Sequence, residues 1–233
     1  MNYTTLASYY DALVSDKEAT KDWVEYTKRY VKKGKVLDFG CGSGDFAIGL
    51  AKEGFVVDAS DLSSEMIEVA KNKQGSKLVN WQVLNMLDLS EIEEYDAVTC
   101  YCDSLNYLQS YKELEKVIEK VYKALKVSGV FMFDIHSLDT LQEFKQESIE
   151  EGYIEDVSYQ WCIYSNDQNL YYSFIFQDGE KMLLKEHHQQ FVFDPIIVKA
   201  MLEKQGFEVK NSTDFTLEGI TKGNKIFFSC LKR

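Results

Sequence analysis

A glycine-rich segment after a short apolar strand has the residue types and spacing most specific to one kind of chemistry. Residues 36–44 read Val-Leu-Asp-Phe-Gly-Cys-Gly-Ser-Gly. Glycine has no Cβ, so a ligand can approach this backbone closely, and a strand, glycine turn and helix form nucleotide pockets in α/β folds. The dinucleotide fingerprint requires glycine where this chain has Asp45, and the P-loop lysine is absent. The carboxylate of Asp38 would repel a pyrophosphate but suits a ligand with ammonium and sulfonium charges.

This acid and its glycines resemble motif I of the class I methyltransferases, which use S-adenosylmethionine as the methyl donor. The resemblance implies that the backbone of Gly40, Cys41, Gly42 and Gly44 approaches the methionine part of the donor. It also implies that Asp38 holds the loop or accepts a hydrogen bond from the donor's amino group. A glycine-rich turn without a ligand is the structural alternative.

A second acid follows the next predicted strand. Asp61 lies 21 residues beyond Gly40, the position at which nucleotide folds bind ribose hydroxyls, and one carboxylate can accept both hydroxyls. Asp58 is the alternative candidate for the ribose, and the structural alternative for Asp61 is a helix cap that binds no ligand. The segment Asp-Leu-Ser-Ser-Glu-Met that starts at Asp61 resembles the D-x-S-x-x-M helix start of the family. We therefore favour Asp61, with Leu62 and Met66 beside it as cofactor contacts.

The segment after the third predicted strand is expected at the adenine. The family usually has an acid at the first polar position here, whereas this sequence has Asn85. An asparagine oxygen can accept the same hydrogen bond from the adenine amino group. We expect Met86 and Leu87 to pack on the ring or to offer backbone groups, and Asp88 is the alternative to Asn85.

The polar stretch after the fourth predicted strand is expected to contact the methyl acceptor. The carboxyl ends of strands beside the order reversal of a doubly wound sheet line its crevice. We assign Tyr101 to the cofactor, and Asn106 and Tyr107 to the acceptor. The run from Cys102 to Leu108 resembles the C-D-S-L-N-Y-L of small bacterial methyltransferases of unassigned substrate.

Two groups in the motif segments, or a tyrosine, are candidate general bases if methyl transfer must remove a proton. Asp103 lies in the C-D-S-L-N-Y-L run, and His136 follows strand five in a Phe-Asp-Ile-His-Ser segment that resembles the F-D-x-H-S of the same relatives. Structural capping of the two loops is the alternative, and a base is optional for a neutral amine.

Two neighbouring histidines lie in a later predicted strand. Adjacent strand residues point to opposite faces, so His187 and His188 are not expected to share a metal ion, and no metal site is predicted. One of the two should face the pocket, and His187 is our candidate acceptor contact. Near the amino terminus, Tyr9, Tyr10 and Trp23 are expected either to cover the cofactor or to pack as ordinary helix residues.

Strands that alternate with helices predict a doubly wound α/β fold with a parallel sheet. The resemblance implies a Rossmann-like sheet of seven strands in the order 3-2-1-4-5-7-6, with strand seven antiparallel. We expect one domain over 1–233, with a helical lid at 1–33 and an inserted antiparallel meander at 150–193. Period-two alternation from Val157 to Ile163 indicates one apolar face on this insert. That face should roof the acceptor pocket or, alternatively, pack against a second subunit.

The composition disfavours some classes of function and partner. A formal net charge of −12 disfavours a phosphate backbone as partner, and no apolar run approaches the ~18 residues of a membrane span. An odd number of scattered cysteines and no recognisable signal peptide favour a cytoplasmic protein. We therefore expect N- or O-methylation of a small molecule by a monomer or homodimer. A tRNA methyltransferase, a non-catalytic S-adenosylmethionine-binding protein and a nicotinamide oxidoreductase are the alternatives.

Overall fold

The computed structural model describes Tyr9, Leu13 and residues 17–233. Tyr10, which we assign to the cofactor, lies outside the described residues. Residues 17–233 form six α-helices, namely α1 (Lys17–Tyr30), α2 (Asp45–Lys52), α3 (Ser64–Asn72), α4 (Tyr111–Ala124), α5 (Leu138–Glu143) and α6 (Pro195–Gln205). Short 3-10 turns cover Ser76–Leu78, Met86–Asp88 and Ser104–Tyr107.

The strands divide into a central sheet and a second sheet, which we call sheet B. The central sheet contains β1 (Lys35–Phe39), β2 (Val56–Asp61), β3 (Val79–Val83), β4 (Tyr95–Cys100), β5 (Leu125–His136), β10 (Phe207–Thr213), β11 (Leu217–Glu218) and β12 (Lys225–Lys232). Sheet B contains β6 (Ser148–Ile154), β7 (Val157–Asn166), β8 (Asn169–Asp178) and β9 (Lys181–Phe191).

The central sheet confirms the doubly wound order. Its strands run β3-β2-β1-β4-β5-β12-β10-β11, and β12 pairs antiparallel with both β5 and β10. The predicted count of seven needs one correction, because the two-residue β11 adds an eighth strand at the edge. Asp214 and Phe215 adopt positive φ angles of 46° and 64°, and this turn brings the chain back along β10.

Helices cover both faces of the central sheet. Alternate residues of β5 enter different cores: Phe131 and Phe133 pack with α4 and α6, whereas Val130 and Met132 pack with α1 and α2. A strand buried on both faces reads as a continuous apolar run, which is the pattern that β5 has in the sequence. The middle strands of the sheet are therefore covered on both faces, and the carboxyl edge of the sheet is where ligand chemistry can take place.

Sheet B is an antiparallel meander in the order β6-β7-β8-β9. The sequence indicated only the last three strands, because β6 is rich in glutamate and lies exposed at the sheet edge. Cross-strand partners in sheet B have side chains on the same side of the sheet. We call the side that includes Trp161, Phe174 and Glu186 the inner face. Its members include Tyr159, Trp161, Tyr172, Phe174, Phe176, Glu186, His188 and Gln190.

Candidate active site

The glycine loop between β1 and α2 has one position that is open to a ligand. Gly40, Gly42 and Gly44 all have positive φ angles, which side chains rarely adopt. A Cβ on Gly40 would lie 2.6 Å from Ser104, and one on Gly44 would lie 2.4 Å from Trp81, so both are constrained by the protein itself. A Cβ on Gly42 would meet no protein atom within 4 Å. A bound group can therefore approach the backbone at Gly42.

Asp61, at the end of β2, is tied to this loop. Its Oδ2 accepts a hydrogen bond from the Gly42 amide at 2.9 Å, and its Oδ1 accepts one from the Ser63 amide at 2.9 Å. Burial raises the pKa of this carboxyl, an effect that the amide donors oppose. Asp61 therefore stands beside the one open position of the loop, as a ribose ligand would need to.

The rival acid, Asp58, lies away from that edge. It is buried in the middle of β2, where Tyr95 donates a hydrogen bond at 3.0 Å and Lys35 forms an ion pair at 3.1 Å. Asn80 donates to its other oxygen at 3.1 Å. Asp58 thus has three protein partners and a structural role in the sheet.

Asp38 is a buried carboxyl beneath the loop. Thr99 Oγ1 donates to its Oδ1 at 2.9 Å. Burial is the main reason that the pKa of Asp38 rises to about 7, and the nearby Asp61 charge raises it further. A buried acid with this pKa favours a cationic partner, since an opposite charge stabilises the ionised form.

The predicted adenine segment forms a 3-10 turn beside the loop. Asn85 Oδ1 accepts a hydrogen bond from the Leu87 amide at 2.9 Å and caps this turn. Met86 borders the glycine loop, because its Cε would lie 3.2 Å from a Cβ on Gly40. Leu62 is 69% exposed although it is apolar. Met86 and Leu62 therefore provide apolar surface beside the glycine loop.

S-adenosylmethionine fits this set of residues. The open approach at Gly42 suits its methionine part, and the buried acid Asp38 suits its ammonium group. The oxygens of Asp61 lie at the strand end, where ribose hydroxyls bind in related folds.

A second group of charges lies at the ends of β4, β5 and β12. Lys225 Nζ is 3.0 Å from Asp103 Oδ1 and 3.1 Å from Asp134 Oδ2. Asp134 also accepts hydrogen bonds from the Cys102 and Asp103 amides, at 2.8 and 3.2 Å. Antiparallel pairing of β12 with β5 sets Lys225 opposite His136. Lys225 therefore contacts Asp134, although the two residues are 91 positions apart in the sequence.

Electrostatics fixes the protonation of this group. Burial alone would raise the pKa of Asp103, but Lys225 and His136 hold it below its ordinary value. Burial would lower the pKa of Lys225, yet the two aspartates raise it well above its usual range. The pKa of Asp134 rises to about 6, chiefly because it is buried. Lys225 is therefore a fixed cation, and Asp103 is a fixed carboxylate.

His136 links the central sheet to sheet B. Its Nε2 lies 2.8 Å from Gln190 Oε1, 3.1 Å from the Tyr172 hydroxyl and 3.5 Å from Asp103 Oδ2. Burial lowers the pKa of the imidazole. A neutral His136 therefore has several partners already, which is a poor arrangement for a free base.

The prediction that Asn106 contacts the acceptor needs correction. Asn106 is fully buried. Its Nδ2 donates to the Phe191 carbonyl at 2.8 Å, and its Oδ1 accepts from the His136 amide at 3.2 Å. The side chain thus joins β5 to the end of β9 instead of facing a cleft.

The assignment of His187 also needs correction. His187 is exposed, whereas His188 lies on the inner face of sheet B. His188 Nδ1 is 3.3 Å from the hydroxyl of Tyr107, and its Nε2 is 3.0 Å from Glu186 Oε2. The inward-facing histidine is therefore His188, and it lies beside Tyr107, one of the predicted acceptor contacts.

Aromatic residues of the amino-terminal region pack on the fold. The hydroxyl of Tyr101 lies 3.0 Å from Thr27 Oγ1, and its ring stacks on Trp23. Both side chains belong to the core beneath α1, so a contact between Tyr101 and the cofactor would involve its backbone. Tyr9 stacks on Phe176 of the inner face, with ring centroids 5.4 Å apart.

Several residues of these networks had no signal in the sequence. Lys225, Gln190 and Tyr172 lie in strands far from the motif segments, and their side chains meet the site only through strand pairing. Asp134 lies in the F-D-x-H-S segment, which could have identified it. In the part of the chain that the structure describes, no cluster of three metal-binding side chains occurs. None of its helices combines the length and apolar character needed to cross a membrane.

This chain is similar to known methyltransferases. Residues 36–129 match a family model described as a methyltransferase domain. A protein of Geobacillus sp. (strain WCH70), named provisionally as a methyltransferase, is 33% identical over 247 residues that cover 100% of both chains.

Two solved structures share the fold. One is an S-adenosylmethionine-dependent methyltransferase from Clostridium acetobutylicum ATCC 824, with a TM-score of 0.83, 23% identity, and coverage of 99% of this chain and 98% of that one. The other is CalS10, an amino pentose methyltransferase from Micromonospora echinaspora with S-adenosylmethionine bound. Its TM-score is 0.78 at 15% sequence identity, and the match covers 98% of this chain and 97% of CalS10. With the full-length relative and the motif I geometry, these findings establish that this chain belongs to the class I S-adenosylmethionine-dependent methyltransferases.

Proposed function

We propose that this enzyme methylates a small-molecule amine that binds between the carboxyl edge of the central sheet and the inner face of sheet B. The observation that carries this proposal is the set of contacts that hold sheet B against that edge. Asn106 bonds to Phe191, and His136 bonds to both Gln190 and Tyr172. These contacts support sheet B as the cover of an acceptor site beside the glycine loop.

The side chains around this space suit a small cation. The inner face contributes stacked rings of Trp161 and Phe174, with centroids 5.4 Å apart, and the acid Glu186. Asp103, held ionised by Lys225, adds a second carboxylate from the central sheet. Aromatic faces and carboxylates together attract an amine in its ammonium form. The net charge of −12 favours such a ligand over an anionic polymer.

Sheet B is proposed as an acceptor lid, with the amino-terminal region beside it. Tyr9 and Leu13 join the apolar cluster of Phe174 and Phe176 on the inner face. A cover of this kind excludes water and orients the acceptor, which are the main tasks of a protein that catalyses an in-line displacement. CalS10, an amino pentose methyltransferase, has the same fold, and its name favours an acceptor that carries an amine.

The residues of this chain then have distinct tasks. Bound S-adenosylmethionine supplies an activated methyl group. Gly42 and Asp61 position it through the loop backbone and the ribose, and Asp38 neutralises its ammonium group. Asp103 holds the acceptor nitrogen toward the same edge, while Lys225 keeps that carboxylate ionised.

A methyl-transfer screen tests this proposal. Wild-type protein is incubated with methyl-labelled S-adenosylmethionine and, separately, small amines, small hydroxy compounds or bulk tRNA. We expect label in the amine pool. Transfer only to tRNA would overturn the small-molecule acceptor, and transfer only to hydroxy compounds would overturn the amine. Binding of the donor without transfer to any pool would support a non-catalytic binding protein.

A further inference from the structure

We propose that Tyr107, His188 and Glu186 form a proton relay, here called the tyrosine relay, in which Tyr107 takes a proton from the acceptor amine. The inference rests on the proposed function and adds a catalytic residue, Tyr107, with two positioning residues behind it. Among the bases that the sequence leaves open, it selects a tyrosine over Asp103 and His136.

The three side chains form a continuous line. Glu186 Oε2 is 3.0 Å from His188 Nε2, and His188 Nδ1 is 3.3 Å from the Tyr107 hydroxyl oxygen. Glu186 and His188 are two residues apart on β9, so both point to the inner face. Tyr107 ends the 3-10 turn that follows β4. The line therefore runs from sheet B to the carboxyl edge of the central sheet.

For a neutral His188, one tautomer satisfies every contact in this line. A carboxylate only accepts hydrogen bonds, so the proton of a neutral His188 must lie on Nε2 and point to Glu186. Nδ1 then has a lone pair and accepts the hydrogen bond of the Tyr107 hydroxyl. Glu186 thus fixes the tautomer that makes His188 a proton acceptor for tyrosine, which is the logic of an acid, a histidine and a hydroxyl in hydrolases.

Burial falls along the line toward the acceptor end. The side chains of Glu186 and His188 are 22% and 28% exposed, whereas Tyr107 is 46% exposed. The edge of the His188 ring packs on Phe174, with centroids 5.7 Å apart. Tyr172 is the cross-strand neighbour of His188, and its hydroxyl lies 3.1 Å from His136 Nε2. The imidazole is therefore held rigidly, while the phenol end is accessible.

The relay performs a balanced proton transfer. An ammonium proton of the acceptor passes to the Tyr107 oxygen while the Tyr107 proton passes to Nδ1 of His188, and Glu186 stabilises the resulting imidazolium. The freed nitrogen lone pair forms the new bond to the methyl carbon. The carbon–sulfur bond breaks, and its electron pair stays on sulfur. His188 finally releases the proton to solvent.

The other titratable groups nearby are poorer bases. A general base works best when its pKa lies near the working pH, and the pKa of Asp103 is held below its ordinary value by Lys225 and His136 against the effect of burial. His136 already shares Nε2 with Gln190 and Tyr172. These groups can bind and orient, and the tyrosine relay can remove the proton.

A tautomer measurement tests the relay without any acceptor. The chain has three histidines, so nitrogen NMR of histidine-labelled protein can resolve each of them. We expect His188 with its proton on Nε2 in the wild type and a mixture of tautomers in Glu186→Ala. A wild-type His188 with its proton on Nδ1 would overturn the relay, whether or not an acceptor has been found.

Kinetics with the best amine from the screen provides the second arm. Tyr107→Phe and His188→Gln should each lower kcat by about 100- to 10,000-fold, the usual contribution of a general base, with KM for S-adenosylmethionine unchanged. His187→Gln, on the exposed face of the same strand, is the matched control and should keep wild-type kcat. Loss of kcat in Tyr107→Phe should be recovered as the pH rises from 7 to 9, because solvent then deprotonates the amine.

The two proposals fail in different ways. If the wild type transfers label to no amine, the proposed function is wrong, and the tautomer measurement still tests the hydrogen-bond line from Glu186 to Tyr107 on its own. If the wild type methylates an amine and Tyr107→Phe retains its kcat, the relay is wrong and the proposed function stands.

Discussion

The amide of Gly42 donates a hydrogen bond to Asp61 Oδ2 at 2.9 Å, so the glycine loop and the end of β2 form one unit. The second oxygen of Asp61 accepts from the Ser63 amide. The acid proposed for the ribose therefore also shapes the loop proposed for the methionine part. Substitutions at Asp61 should consequently affect both regions of the donor site.

Asp61→Asn should weaken S-adenosylmethionine binding by about 1.5–3 kcal/mol, because it removes the charge from hydrogen bonds to the ribose hydroxyls. This corresponds to roughly 10- to 150-fold in Kd. Asp58→Asn is the matched control, since its partners Lys35 and Tyr95 lie inside the fold. It should lower the free energy of unfolding by about 1–3 kcal/mol and leave the Kd unchanged. Calorimetric titration of both variants measures these effects, and an unaltered Kd in Asp61→Asn would refute the ribose assignment.

Donor affinity should depend on pH through Asp38. Its pKa of about 7 in the free protein means that part of the population is protonated near neutrality. A cationic ammonium group favours the ionised form, so binding below this pKa must release a proton. The Kd should therefore rise by up to about tenfold for each pH unit from 7 down to 5. Titrations in two buffers of different ionisation enthalpy would detect the released proton, and Asp38→Asn should abolish the dependence. A flat profile in the wild type would contradict a contact between Asp38 and the ammonium group.

Lys225→Met should destabilise the fold by about 3–5 kcal/mol, the usual cost of removing one partner from a buried ion pair. It leaves Asp103 and Asp134 as two adjacent buried carboxylates with raised folded-state pKa values. A carboxyl group whose pKa is raised in the folded state stabilises the fold at low pH, and this stabilisation is lost as the pH rises. The loss of unfolding free energy in Lys225→Met, relative to the wild type, should therefore be smaller at pH 5 than at pH 7. Denaturant unfolding at both pH values measures it. Lys222→Met, at an exposed site nearby, should have no comparable effect, and an equally stable Lys225→Met would contradict the charge network.

One substitution on each face of sheet B tests whether the insert covers the acceptor site or forms a subunit interface. Trp161→Leu changes the inner face and should reduce methyl transfer while donor Kd and oligomeric state stay constant. Tyr164→Ala changes the other face, where Tyr164 stacks on Tyr171, and should leave transfer intact. Light scattering and turnover assays on the same preparations separate the alternatives. A change from dimer to monomer in Trp161→Leu with transfer retained would favour a subunit interface over a lid.

The sequence indicated those parts of the fold and site whose signals are local. Motif I, the helix start after Asp61 and the apolar run of β5 each lie within a few residues, and the structure contains the expected strands and helices there. The edge strand β6 was missed because an exposed edge needs no apolar alternation.

Side-chain direction in the site could not be derived in the same way. His187 and His188 are identical in type and adjacent, so a period-two pattern cannot tell which one faces inward. Asn106 looked like a cleft residue because it is polar and follows a strand. In the structure its amide satisfies two backbone groups of other elements instead. Lys225 joins Asp103 only because β12 pairs antiparallel with β5, and such a contact has no local signature.

The donor site is tested most directly by titrating S-adenosylmethionine into two matched glycine variants. Gly42→Val and Gly179→Val introduce the same side chain at similar φ angles, 51° and 57°, and neither Cβ would meet a protein atom within 4 Å. Both should lose a similar amount of stability, about 1–2 kcal/mol for the left-handed backbone. Gly42→Val should show no donor binding, whereas Gly179→Val, in the β8–β9 turn, should bind like the wild type. Normal binding by a folded Gly42→Val would contradict the placement of the donor against the glycine loop.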